Sequence, residues 1–180
     1  LKELSMADGL GGIKNALIVA ENELKKFAKV RFSGNSLIGV MDSHKSTTVM
    51  LDAHIDQIGM MVTSIKDGFL KVSAAGGIDA RMLPAMRVNI YGKKTIKGVF
   101  CSVPPHLAKK DDSAPSLDNL YIDTGFDSLE GIVSVGDRVA FDMSFAELSG
   151  DLVTGKSLDN RAGVASLILA AERLSKKELP

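Results

Sequence analysis

Five short strand-like runs follow one another between about Lys66 and Gly150, and no convincing helix separates them. Clusters of glycine, proline, asparagine and aspartate stand between the runs, as turns require. The pattern is typical of a small antiparallel barrel or sandwich. The runs are Phe69 to Val72, Arg87 to Tyr91, Thr95 to Cys101, Leu120 to Asp123 and Arg138 to Phe141.

Helical patterns flank this β-rich region on both sides. Apolar residues recur at steps of three and four from Ile13 to Ala28, and again from Val164 to Leu174. The second helix is apolar around much of its circumference, so we expect it to be largely buried. Ahead of the β-rich region, Thr47 to Leu51 and Ile58 to Val62 are nearly continuous apolar runs. Such runs are typical of strands buried on both faces of an α/β sheet.

The two textures divide the chain into three parts, residues 1–65, 66–150 and 151–180, of which the middle part is β-rich and the outer parts have helical patterns. A buried crossover helix normally returns to a parallel strand, but none follows the last helix here. We therefore expect the α/β domain to be incomplete at Pro180.

Charge and hydropathy exclude several classes of protein. Lysine plus arginine and aspartate plus glutamate each number 22, so the chain lacks the basic surplus that nucleic-acid binding needs. No apolar run approaches the roughly 20 residues of a membrane-spanning helix. The single cysteine, Cys101, fits a reducing compartment, and we predict a cytoplasmic location.

His54 and Asp56 form a His-x-Asp pair after an apolar run. Residues two apart in a strand point to the same side. Imidazole is a good ligand for zinc-like metals, and a ligating histidine usually donates its other ring N–H to a carboxylate or carbonyl. Asp56 is suited to that supporting role. The alternative is a histidine that is simply hydrogen-bonded at a strand end.

Asp159 is the second candidate, at the start of the last helix. The helix dipole favours a carboxylate there. The alternative is a plain N-cap aspartate, which is a frequent arrangement.

The other residues capable of chemistry are not assigned to a site. His44 lies in a polar turn, and His106 lies in the polar, proline-rich segment from Pro104 to Pro115, which we expect to be a solvated or disordered loop. Cys101 has no histidine nearby in sequence and is interpreted as a small buried hydrophobe.

Several segments together resemble the glutamyl (tetrahedral) aminopeptidase family of dinuclear metallo-exopeptidases. The similarity covers nearly all 180 residues in the family's order. The segments are Leu51 to Val62, Val99 to Leu107, Leu120 to Gly125, Val135 to Val139 and Gly155 to Gly163.

The resemblance implies an α/β phosphopeptidase-like (zinc-exopeptidase) catalytic domain with a small β-barrel insertion domain. Residues 1–65 would be the first part of the catalytic domain, 66–150 the inserted oligomerisation domain and 151–180 the resumed, truncated catalytic domain, which fits the change of texture at these positions. By resemblance, His54 binds one of two divalent metal ions, zinc or cobalt, Asp159 bridges both, and Asp56 orients His54. The family also implies a cis peptide between Asp159 and Asn160. Peptides would be the substrates, and the β insertion would join subunits into dimers and a hollow dodecamer.

The chain also departs from the family pattern. The family's catalytic glutamate pair and remaining metal ligands would fall beyond Pro180. We therefore predict that these 180 residues alone bind metal weakly and hydrolyse peptides negligibly. The runner-up function is a non-catalytic β-rich oligomerisation or interaction module. A glycosidase is a third candidate, although the chain has no tryptophan to form a sugar platform.

Overall fold

The computed structural model describes residues 1–41, 48–101 and 115–177, and the chain divides into two units. The barrel unit is Ile58–Met143, and the split unit is Leu1–Gln57 together with Ser144–Pro180. The barrel unit begins eight residues before the predicted start at residue 66 and ends seven residues before the predicted end at residue 150. The predicted loop up to residue 114, His44 and His106 lie outside the described residues.

Both units are built from short elements. The helices are α1 (Lys2–Met6), α2 (Asn15–Leu24) and α3 (Leu158–Ser175). The strands are β1 (Lys29–Ser33), β2 (Ser36–Val40), β3 (Gly59–Lys66), β4 (Phe69–Ala75), β5 (Arg87–Tyr91), β6 (Thr95–Cys101), β7 (Tyr121–Asp123), β8 (Arg138–Phe141), β9 (Ala146–Glu147) and β10 (Val153–Thr154). None of the helices in the described part of the chain has the length and apolarity to cross a membrane.

The barrel unit is a closed antiparallel barrel with the strand order β3-β4-β7-β6-β5-β8. Alternate residues of each strand point inward, as Val88 and Ile90 of β5 do, and both are fully buried. The buried core of this unit is formed by Met60, Val62, Leu70, Val72, Leu83, Val88, Ile90, Ile96, Phe100, Leu120, Ile122, Leu129, Val133 and Val139.

The first barrel strand, β3, differs from the interpretation of its sequence. The run from Ile58 to Val62 was expected to belong to the α/β sheet, but β3 pairs with β4 and β8 of the barrel. Asp67 and Gly68 connect β3 to β4 with φ values of 49° and 77°. Two successive positive φ values are typical of a tight hairpin turn, so this turn fixes the pairing of β3 with β4.

The strand expected from Thr47 to Leu51 is wrong for the residues that the structure describes. Residues 48–58 contain no strand, and the side chains of Val49 and Met50 are 78% and 86% exposed. A strand needs a hydrogen-bonding neighbour. In the described residues of the split unit, strands pair only as the hairpins β1–β2 and β9–β10.

The expectation that the last helix is largely buried is also wrong. Only Arg161, Val164 and Ala171 of α3 are buried, and Leu169 on the same helix is 54% exposed. Val164 packs in a small apolar cluster with Leu4 and Ala20. One face of α3 therefore packs on α1 and α2, with Ala165 and Ile168 partly buried against the cluster, while Leu169 and Leu174 are exposed.

Candidate metal centre

His54 and Asp159 lie next to each other in the split unit, although 105 positions separate them in sequence. His54 Nε2 is 3.1 Å from Asp159 Oδ1. Sequence analysis singled out both residues, and the fold brings their side chains together. Their roles as ligands stay a prediction.

Asp56 lies on the other side of the same imidazole. Its Oδ1 is 3.3 Å from His54 Nδ1. The two residues do not lie in a strand, so an irregular segment places them together and the predicted alternation of a strand does not. The imidazole of His54 therefore has a carboxylate oxygen near each of its two nitrogens.

The start of α3 explains why the carboxylate of Asp159 is available to His54. Asn160 Oδ1 accepts a hydrogen bond of 3.1 Å from the Gly163 backbone N–H, which is the usual bond of an N-cap side chain. Asp159 and Asn160 have non-helical φ and ψ angles. The capping role considered for Asp159 is thus taken by Asn160. The predicted cis peptide between Asp159 and Asn160 is confirmed.

The three side chains are open to solvent in the described structure. The exposed fractions are 54% for His54, 80% for Asp56 and 95% for Asp159. Solvent or a ligand can therefore reach the gap between His54 Nε2 and Asp159 Oδ1.

The donor chemistry of this site fits a divalent cation. A neutral imidazole carries one N–H, so it can donate to only one of its two flanking carboxylates. If Nδ1–H donates to Asp56, the lone pair of Nε2 faces the oxygen of Asp159, and a cation relieves that contact between two electron-pair donors. Imidazole and carboxylate are ordinary ligands of zinc and related metals.

These residues supply only part of a complete site. Zinc takes four ligands, and the side of the imidazole that faces Asp159 offers one nitrogen and one carboxylate. Within residues 1–41, 48–101 and 115–177, no group of three or more histidine, cysteine, aspartate or glutamate side chains is arranged to hold a metal.

Sequence analysis missed a set of buried polar side chains beside this site. They include Asp8, Gln57, Lys156 and Arg161. Burial lowers the pKa of the Arg161 guanidinium, and the charges of Asp8 and Asp56 oppose that shift. The positions of Gln57 next to Asp56, and of Lys156 and Arg161 on either side of Asp159, were the available signal.

The sequence around this site matches a known family. The M42 glutamyl aminopeptidase family model matches residues 34–180. The chain is 36% identical, over 99% of its length, to an Acetivibrio thermocellus protein with a provisional aminopeptidase assignment, and it covers 54% of that protein. It is 30% identical, over 93% of its length, to the lysyl aminopeptidase of Pyrococcus furiosus, of which it covers 50%.

A solved structure is also similar. The TET1 peptidase of Pyrococcus horikoshii, which can assemble into a tetrahedron or a large octahedral shell, matches 99% of this chain with a TM-score of 0.84 and 31% identity. The chain covers 56% of that structure and spans about half the length of the curated relatives it matches. The likeness and the closed barrel confirm the predicted fold class, an incomplete α/β domain with a small barrel.

Proposed function

The chain belongs to the M42 glutamyl aminopeptidase family, and from that membership we propose that it is part of a metal-dependent aminopeptidase. The proposed reaction releases N-terminal residues from peptides. The observation that supports it is the 3.1 Å approach of His54 Nε2 to Asp159 Oδ1, two residues that are far apart in sequence. A cytoplasmic location belongs to the same proposal, because a single cysteine fits a reducing compartment.

His54 and Asp159 would hold the metal, with His54 on one ion and Asp159 shared between two divalent ions, zinc or cobalt. When bound, such ions lower the pKa of a coordinated water and polarise a peptide carbonyl. Asp56, whose Oδ1 lies 3.3 Å from His54 Nδ1, would accept a hydrogen bond from Nδ1–H and so keep the lone pair of Nε2 directed toward Asp159. Asn160 caps α3 and leaves the carboxylate of Asp159 unused by the helix.

Self-association through the barrel is part of the proposal. The relative from Pyrococcus horikoshii assembles into closed shells. On the outside of this barrel, Phe69, Val99 and Tyr121 are 38–43% exposed on the adjacent strands β4, β6 and β7. We expect this apolar patch to lie between subunits, in dimers that build a dodecamer. A V99D variant would then have a smaller mass in light scattering than the native protein, and an unchanged mass would contradict this role.

The test of the catalytic proposal uses the full-length natural protein. A chelator should abolish hydrolysis of aminoacyl p-nitroanilides, and zinc or cobalt should restore it. His54→Ala and Asp159→Asn should each lower the rate at least a hundredfold, because each removes a ligand. Asp151→Asn, at an exposed position of the split unit, should keep the native rate. An N-acetylated substrate should resist cleavage, since the reaction needs a free α-amine.

Four results would contradict the proposal. Chelator-resistant activity would exclude the metal. Native rates in His54→Ala would exclude this site. A complete absence of activity on peptides, with assembly intact and independent of metal, would favour the non-catalytic β-rich module. Cleavage of cellulose derivatives instead of anilides would favour the glycosidase.

A further inference from the structure

Four buried polar residues, Asp8, Gln57, Lys156 and Arg161, lie together in the split unit, and we call them the polar cluster. Their exposed fractions are 5%, 6%, 7% and 0%. Charged side chains are almost never this buried unless they are paired. A buried ion pair is also poor evidence of added stability, because well-packed apolar residues often replace it without loss. The contacts of the cluster therefore need another explanation.

Gln57 ties the segment that carries His54 and Asp56 to the N-terminal segment. The Gln57 backbone N–H donates to the Gly9 carbonyl over 3.0 Å. In return the Gly9 N–H donates to Gln57 Oε1 over 3.3 Å, and Gln57 Nε2 donates to Asp8 Oδ1 over 3.1 Å. These three bonds fix the backbone one residue after Asp56.

Lys156 ties the segment that carries Asp159 to the same N-terminal segment. Its ammonium group forms a buried ion pair with the carboxylate of Asp8. Its carbonyl accepts a 2.6 Å hydrogen bond from Ser5 Oγ. The next residue, Ser157, donates from Oγ to Gln57 Oε1 over 3.4 Å. The chain is thus held at two positions just before Asp159.

Arg161 holds the chain on the other side of Asp159. Its guanidinium donates to the carbonyls of Leu4 and Ala7, and Nη2 lies 3.4 Å from Gln57 Oε1. The fit leaves no room at Gly9, where an added Cβ would lie 2.8 Å from Arg161 Nη2. Among the described residues, Arg161 Nε has no hydrogen-bond partner although it is buried.

We propose that the polar cluster positions His54 and Asp159 for metal binding by tying both of their segments to residues 4–9. The inference rests on the proposed function, because it concerns the same two candidate ligands. None of the four cluster residues is itself a ligand. Gln57, Lys156 and Arg161 act through the backbone near Asp56 or Asp159, and Asp8 acts through its contacts with Gln57 and Lys156, so all four are positioning residues.

The experiment measures metal affinity and needs no turnover. Full-length, metal-stripped protein is titrated with Zn²⁺ in competition with a chromogenic chelator, and Co²⁺ absorption spectra report the geometry around the metal. The main variants are the double replacement Asp8→Leu with Lys156→Met and the single replacement Gln57→Met. Each should bind Zn²⁺ about tenfold or more weakly than the native protein, as loss of supporting groups around metal ligands does elsewhere, and should alter the Co²⁺ spectrum.

The matched control is Leu17→Ala, which removes a buried apolar side chain from α2 and no polar contact. It should lower stability and keep the native affinity and spectrum. Ser5→Ala, which removes one hydrogen bond to Lys156, covers the case in which a cluster variant fails to fold, and it should show a smaller loss of affinity in the same direction.

The outcomes separate the two proposals. If His54→Ala loses metal while the cluster variants keep native affinity and spectrum, the positioning role is overturned and the proposed function stands. If Leu17→Ala loses as much affinity as Gln57→Met at equal stability, the cluster is merely structural and the positioning role is overturned. If His54→Ala binds metal like the native protein, both proposals fall.

Discussion

The barrel unit and the split unit fill their interiors differently. Fourteen buried apolar residues form one continuous core in the barrel. The split unit has a small apolar cluster built on Leu4, Ala20 and Val164. Every buried polar or charged side chain in the described residues, from Ser5 to Arg161, belongs to the split unit. The barrel thus depends on area removed from water, and the split unit depends on directional contacts.

The difference teaches where precision is needed. Apolar packing is non-directional and stabilises a fold without fixing any one polar atom. Buried hydrogen bonds and ion pairs add little net stability, but they are directional, and a buried polar atom whose partner moves away is left unpaired at a cost in free energy. Both His54 and Asp159 belong to the unit that is held by such contacts. The described residues of the barrel contain no histidine, so they form no comparable pair of imidazole and carboxylate.

The largest expected effect tests the barrel core. Phe100, at 2% exposure, lies in the middle of it. Phe100→Ala should lower the free energy of unfolding by about 4 kcal/mol, because it removes buried apolar area and leaves a cavity. Native-state hydrogen exchange at barrel amides measures this change. Thr95→Ser, at an exposed position of the same strand, should change it by less than about 0.5 kcal/mol. Equal effects of the two variants would mean that the barrel does not rely on its apolar core.

A somewhat smaller effect tests the polar interior of the split unit. Asp8→Leu alone leaves the ammonium of Lys156 buried without its carboxylate, and it should cost about 3 kcal/mol of folding free energy. Adding Lys156→Met should recover most of that loss, since an apolar pair can replace a buried ion pair. Urea unfolding of the three proteins measures the coupling. A double variant that is no more stable than the single one would show that the ion pair itself stabilises the unit.

Sequence patterns predicted the barrel strands well. The predicted bounds of β5, β6 and β8 agree with the structure. In β5 the inward Val88 and Ile90 alternate with polar residues, whereas β8 was recognised without such alternation, since Val139 and Ala140 are both buried. The run from Ile58 to Val62 was recognised as a strand but assigned to the α/β sheet, because Gly59 and Met60 are both buried and the apolar run does not alternate. The strand expected at Thr47 to Leu51 failed for a different reason, since pairing partners are a property of the whole sheet and not of the run itself.

The sequence indicated the candidate metal-binding residues but not the buried polar residues beside them. The family resemblance pointed to His54, Asp56 and Asp159, and the structure brings them within hydrogen-bonding distance. The polar cluster was not anticipated, because lysine and arginine beside a helix start look like ordinary surface cations. Only the tertiary contacts with residues 4–9 reveal that Lys156 and Arg161 are buried.

The smallest expected effect concerns an exposed ion pair of the barrel unit, which is the counterpart of the buried pair in the split unit. The side-chain hydrogen bonds from Arg81 lower the pKa of Asp79 from its ordinary value of 3.8 to about 2. Because the folded pKa lies below the unfolded one, the contribution of this carboxylate to stability is present above about pH 4 and is lost as the pH falls toward 2. Arg81→Gln should raise the pKa of Asp79, measured by the ¹³C carboxyl shift in NMR. The value should stay below 3.8, since the backbone N–H of residue 81 still donates to it.

The control for this titration is Lys66→Gln, which removes a positive charge at another exposed position of the barrel unit and should leave the pKa of Asp79 unchanged. Stability at neutral pH should barely change in Arg81→Gln, because exposed ion pairs contribute little. A large loss of stability in this variant would contradict the contrast between the units, since the exposed ion pair would then contribute as much to the free energy of unfolding as the buried one. An unchanged Asp79 pKa would show instead that solvent already screens Arg81, and the contrast would be sharper than the hydrogen bonds suggest.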